Sequence, residues 1–226
     1  MGAVNNMKKI LFFLTFIISI LSFSSCSEGE HTYSCNKSVD TWVKENLPTI
    51  QKMTRADWLH TDSAVNIAIY RAFTPQQKIK FWQDKLQEVE QLSWSKEELA
   101  HIKKVEDFIN SHTEYFEKRL SDEQLDNLDN FAYEWQEYAI KNLGWSKDIC
   151  RAIIGTGNKV KNTQGEIIAS ATSNSNSRIA RSEDCDCSVN SDWCTGGWYC
   201  KETNCTESDW GCGTLLLHDC TGNCHW

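Results

Sequence analysis

The sequence predicts an all-α helical domain, five or six helices packed as a bundle or orthogonal array, followed by a small disulfide-rich C-terminal module. Three observations predict it. Capping-box sequences recur ahead of apolar residues at helical spacing. Eight of the eleven cysteines lie between Cys185 and Cys224. A Ser/Asn-rich stretch at 158–182 separates the two patterns.

The N-terminus sets the compartment. Lys8 and Lys9 precede an apolar run from Ile10 to Phe23, and the small residues Ser24 and Ser25 follow. This is the order of a secretory signal, assigned to residues 1–25. The run is short for a membrane-spanning helix. Cys26 then stands where bacterial lipoproteins carry the lipidated thiol, so Cys26 is the expected lipidation site and the head of a tether over 26–37. The alternative is a plain secreted chain cut near Ser24 or Ser25. Either way the chain is exported, to the cell envelope as a lipoprotein or to the exterior, where disulfides are permitted.

The helical domain is assigned to 38–157. Thr74-Pro75-Gln76-Gln77 combines a capping box with a proline at the first helical position, and Ile79, Trp82, Leu86 and Val89 follow. Ser95 to Glu98 is a second box, ahead of Leu99, Ile102, Val105, Phe108 and Ile109. Ser121 to Gln124 is a third, ahead of Leu125, Leu128, Phe131, Trp135 and Tyr138. Gly144 ends that helix, and Ser146 starts a short one through Ile154 before Gly155 and Gly157. Ser38 to Leu47 and Asp57 to Phe73 are less periodic but hold no breakers.

Residues 158–182 read as a flexible linker, exposed to cleavage near Arg178, Arg181, Ser182 and Glu183. The tail, 183–226, carries eight acids against Lys201 alone, −7 of the chain's net −8. Such a chain has no basic stripe for nucleic acid. A segment this short buries too little apolar surface to fold unaided, and disulfides compensate. Zinc is the competing use of the thiols, but no C-x2-C knuckle occurs and the export signal disfavours free thiolates. Cys185, Cys187, Cys194, Cys200, Cys205, Cys212, Cys220 and Cys224 are therefore expected to form four disulfides. Their connectivity is open, apart from a strained Cys185–Cys187 pair. Cys35 and Cys150 are expected to bridge the N-terminus to the last helix. With disulfides inside, Trp193, Trp198, Tyr199, Trp210, Trp226 and Leu215 to Leu217 should lie near the surface. The aromatics would form a contact surface for a membrane or partner, or a cover over the disulfides.

The motifs of catalysis are missing. His31, His60, His101, His112, His218 and His225 are scattered, and His101 reads as solvated. No nucleophile elbow, phosphate loop or metal-binding histidine pair occurs. Gly155-Thr156-Gly157 reads as a helix terminator, and the acids around Asp122 serve the helix dipole. The expectation is a protein that is no enzyme, with no cofactor, no metal and no small-molecule substrate.

The stretch CDCSVNSDWC, the triplet Gly211-Cys212-Gly213 and the closing CTGNC resemble fulvocin C, a small eight-cysteine bacteriocin. RAFTPQQKIKFWQDKL, Arg71 to Leu86, resembles the fulvocin C-related proteins of Bacteroidetes. The resemblance implies four disulfides in the tail and a secreted bacteriocin-like precursor. Its tail would be the antibacterial effector, acting on a membrane or cell-surface receptor of target cells, and its helical part a pro-region or carrier. The alternative is a surface lipoprotein using the tail as a permanent binding module. The acidity of the tail argues against attack on anionic membranes.

Overall fold

The computed structural model describes residues 32–168 and 184–226. The expected lipidation site Cys26, the signal expected over 1–25 and the expected processing region Arg178, Arg181, Ser182 and Glu183 lie outside them. Seven helices are formed among the described residues: α1 (Lys37–Ile50), α2 (Arg55–Trp58), α3 (Asn66–Ala72), α4 (Pro75–Glu90), α5 (Lys96–Ser111), α6 (Asp122–Leu143) and α7 (Lys147–Cys150).

The three capping boxes start α4, α5 and α6 as the sequence indicates. Thr74, Ser95 and Ser121 each accept the N–H three residues on, and Gln77, Glu98 and Gln124 return the bond to the cap N–H. Gly144 ends α6 at φ 70°, and Trp145 N–H closes the turn on Ala139 O at 3.1 Å. Thr54 and Asp57 form a fourth box at α2. Behind these caps the helices bury a common core that includes Trp82, Tyr70, Phe81, Ile69, Ile102, Ile109 and Leu128. Rings pack edge-on within it, Trp58 on Phe81 at 5.0 Å and Phe81 on Trp82 at 5.9 Å.

His101 corrects an expectation. It is buried, and its ring lies between Trp135 at 4.8 Å and Tyr138 at 4.9 Å. His101 Nε2 donates to Trp135 O at 2.9 Å, and Trp135 Nε1 donates to His101 O at 3.0 Å. Burial lowers its pKa and keeps the imidazole neutral. Its position on α5 beside an apolar stripe, facing aromatic α6, made it core.

α7 begins where Ser146 caps it and passes into a π-helical turn, Arg151–Gly155. The next residues are clamped from below. Arg55 donates to Gly157 O from Nε at 3.3 Å and from a second nitrogen at 3.2 Å, while pairing with Glu88 at 3.1 Å. The fully buried Lys85 donates to Thr156 O and, at 3.1 Å, to Asn158 O. The glycines here serve close approach. A Cβ on Gly157 would sit 2.5 Å from Phe81, and one on Gly155 would sit 2.7 Å from Trp193.

The first part of the expected 158–182 linker, as far as Ile168, forms a hairpin. Lys159–Val160 (β1) and Ile167–Ile168 (β2) pair antiparallel, Val160 enters the core, and Asn162 Oδ1 accepts from Gln164 N and Glu166 N to shape the turn.

The tail adds four short strands: β3 (Tyr199–Lys201), β4 (Ser208–Cys212), β5 (His218–Cys220) and β6 (Asn223–His225). β3 pairs with β6 and β4 with β5, both antiparallel. Thr32 to Trp226 forms one compact unit, and Trp193, Leu215, Leu216 and Leu217 belong to the same core as the helices. This corrects the expectation that these groups lie near the surface. A disulfide cross-link fixes backbone and fills little space, so the tail's bulky apolar groups seat against the helices instead. Leu215 and Leu216 reach that seat with φ of 54° and 56°, a left-handed backbone costing about 1–2 kcal/mol per residue. Burying a leucine side chain offsets this with about 1.5–3 kcal/mol.

The shared core carries a prediction. Leu217→Ala should cost about 2–5 kcal/mol. Helix ellipticity and tail tryptophan fluorescence should lose stability together, in a single urea transition. A helical signal that keeps its wild-type midpoint would contradict a common core.

Candidate contact surface

Four disulfides cross-link the tail: Cys185–Cys205, Cys187–Cys200, Cys194–Cys224 and Cys212–Cys220. All eight expected cysteines are used, and the pairing left open by spacing is set by the folded tail. Cys200 and Cys224 face each other across β3–β6 yet bond elsewhere, to Cys187 and Cys194. The β3–β6 ladder is thus tied at both strands to the segment entering the tail. The Sγ atoms of Cys187, Cys194 and Cys224 lie within 4.8 Å of one another, each held in a disulfide. The expected Cys35–Cys150 bridge is not formed. Cys150 is a buried free thiol whose pKa burial pushes up to about 12. The Cys35 amide instead donates to Asp184 Oδ1 at 3.0 Å, beside Ser34 Oγ to Asp184 Oδ2 at 2.6 Å. The N-terminal leg is held to the tail by a carboxylate.

The five tail aromatics separate into two groups. Trp193 and Trp210 turn inward. Trp193 is buried and donates from Nε1 to Thr214 Oγ1 at 3.1 Å. Trp210 is half-buried over α4, with the Lys78 ammonium nitrogen 3.6 Å from its ring centroid. Arg71 fixes the adjacent backbone by donating to Trp210 O at 2.9 Å and to Ser208 Oγ. The expected contact surface is corrected for Trp193, while Trp210 keeps part of its surface exposed.

Trp198, Tyr199 and Trp226 turn outward. Gly196 and Gly197, at φ 67° and 85°, make a tight turn in which Trp198 N–H reaches Thr195 O at 3.2 Å. The turn sets Trp198 beside Trp226, ring centroids 4.9 Å apart. Tyr199 lies across the ladder from His225. Their exposures are 38% for Trp198, 48% for Tyr199 and 77% for Trp226. Lys201 and His225 are also exposed at this edge. An aromatic cluster on a strand pair braced by two disulfides can meet an apolar or amphipathic partner with little loss of conformational freedom.

The acids of the tail are distributed over the seam with the helices. Arg119, just ahead of α6, pairs with Asp219 and lies 3.8 Å from Asp209. Lys147 lies 3.9 Å from Asp192. His218 Nε2 is 3.1 Å from Asp129 Oδ1, close in distance but off the hydrogen-bond direction. The charge that reads as a property of the tail alone is partly matched across the seam.

No protein-family model, curated protein or solved structure matches the chain.

Lys78 makes the seam sensitive to pH. Desolvation, with the neighbouring Arg71 cation, lowers its pKa to about 7. The unfolded chain, with Lys78 near 10.5, then binds more protons between these values, so stability rises with pH from about 7 to 10. The steepest contribution is about 1.4 kcal/mol per pH unit. Urea midpoints measured at pH 7 and pH 9.5 should increase, and Lys78→Met should remove part of that increase and stabilise the chain at pH 7. An unchanged slope in the variant would assign the dependence to other groups.

Proposed function

We propose that the protein is an exported contact protein, and that its tail holds Trp198, Tyr199 and Trp226 toward a membrane interface or cell-surface partner while docked on the helical part. The observation that carries this reading is the exposed aromatic cluster on a doubly braced strand pair. Four disulfides suit an oxidising compartment outside the cytoplasm. No helix among the described residues is long and apolar enough to cross a membrane. Attachment through a lipid on Cys26 completes the proposal, with the tail as a permanent binding module.

A second reading has its own observation. Trp193 and Leu215–Leu217 are covered by the helices. Cleavage between Ile168 and Asp184 followed by release would uncover them. The helical part would then be the carrier that masks a bacteriocin-like effector until it is freed, as the resemblance implies.

Trp198→Ala combined with Trp226→Ala should weaken association with phosphatidylcholine vesicles and intact bacterial cells at least about tenfold. The urea midpoint should hold, because both side chains are exposed. Undiminished association would sink the contact surface. Mass spectrometry of culture supernatant and cells separates the two readings. The permanent module predicts only cell-bound, lipidated chain. The precursor predicts a free peptide beginning near Ser182 or Glu183, lighter than its reduced form by eight hydrogens, two for each disulfide.

A further inference from the structure

A cleft of about 370 Å3 lies where the cysteine-rich tail meets the turn after α7. This is a size typical of small-ligand sites, roughly 300–1,000 Å3. Arg151 and Thr156 line it from the helical side, and Asp186, Ser188 and Trp198 from the tail. Cysteines of three disulfides, Cys187, Cys194, Cys212 and Cys224, form part of its wall. The wall is therefore fixed before any ligand arrives.

Arg151 is the first residue of the π-helical turn, an irregularity found frequently at functional sites. Among the described residues its side chain has no hydrogen-bond or ion-pair partner. Desolvation lowers its pKa, opposed only by the nearby Asp148 charge. A half-buried guanidinium with Asp148 near but no anion in contact is an arrangement that a ligand anion would relieve. Ser188 is 3% exposed, and its hydroxyl is likewise without a hydrogen-bond partner among the described residues.

The charges choose the anion. Arg151 and Asp186 are the two charged residues of the lining. Asp186 accepts from Cys224 N at 3.3 Å through Oδ1, which leaves Oδ2 for an N–H donor. A phosphate dianion would meet one cation and one repelling carboxylate. A carboxylate monoanion matches the planar guanidinium fork, and a neighbouring N–H matches Asp186. Those two groups occur together at the end of a peptide, and the Trp198 ring offers a surface for its side chain.

We infer that this cleft binds the free C-terminus of a short peptide, the terminal carboxylate on Arg151 and a backbone N–H on Asp186. The inference shares Trp198 with the contact reading but needs no membrane or cell-surface partner, and its test on Arg151 leaves that reading untouched. Calorimetric titration of the full-length oxidised protein with Ala-Ala, with its C-terminal amide and with inorganic phosphate tests it. Ala-Ala should bind saturably, the amide at least about tenfold more weakly. Arg151→Gln should lose a similar factor, and Arg151→Lys should retain part of the binding, with the four disulfides intact by mass. Equal binding of the amide, undiminished binding by Arg151→Gln, phosphate binding as tight as the dipeptide, or no saturation by about 10 mM Ala-Ala would each overturn it. Should Arg151→Gln fail to fold, the comparison of peptide with amide on the unmodified chain decides.

Discussion

The seating of Trp193 and Leu215–Leu217 in the helical core is the contact on which the rest of the structure depends. It requires a glycine at 155, because any Cβ there would collide with the Trp193 ring. It requires the backbone after Gly155 to stay where Arg55 and Lys85 hold it. The buried Arg55 is tolerable because Gly157 O and Glu88 compensate it, and the Lys85 amine, whose pKa burial holds well below the usual lysine value, because it donates to two carbonyl oxygens. Without this anchor the cleft at Arg151 would lose one wall, and the aromatic edge of β3–β6 would lose its support.

The disulfides and the apolar contacts divide the work of holding the tail. Cross-links restrict the unfolded chain and fix which strand lies beside which. They do little to bury apolar surface, because sulfur pairs cover one another. The tail's own clusters consist of cysteines, Cys185 with Cys212 and Cys220 in one, Cys187 with Cys194 and Cys200 in the other. Its leucines and Trp193 therefore complete a core that the helices begin. Trp198, Tyr199 and Trp226 lie outside that core, at an exposed edge where Trp198 and Trp226 pack on each other.

Charge follows the same logic. The acidic tail faces Arg119 and Lys147 across the seam, and Asp184 receives the N-terminal leg. Exposed pairs of this kind contribute little to stability, about 0–1 kcal/mol each. Their main effect is orientation, since they match only when the tail is docked one way round. Lys78 under Trp210 is a different case. It is a desolvated amine kept at the seam by packing, and it costs stability wherever it is charged.

Local sequence determined the starts of α4, α5 and α6, but not the break that splits Asp57 to Phe73 into α2 and α3. Thr74, Ser95 and Ser121 with their partners three residues on set three helix starts, and Gly144 set an end, because capping is chemistry between near neighbours. The same local signals marked the eight tail cysteines for four disulfides. Pairing is settled only in three dimensions, since spacing alone does not say which sulfurs the folded chain brings together. The burial of His101 and Trp193 is not legible in the sequence for one reason. Whether a side chain meets water depends on what a distant segment brings to it, α6 for His101 and the turn after α7 for Trp193. The cleft at Arg151 was invisible for the same reason. Its cation and its carboxylate are thirty-five positions apart, and only the docking of tail on helices brings them into one site.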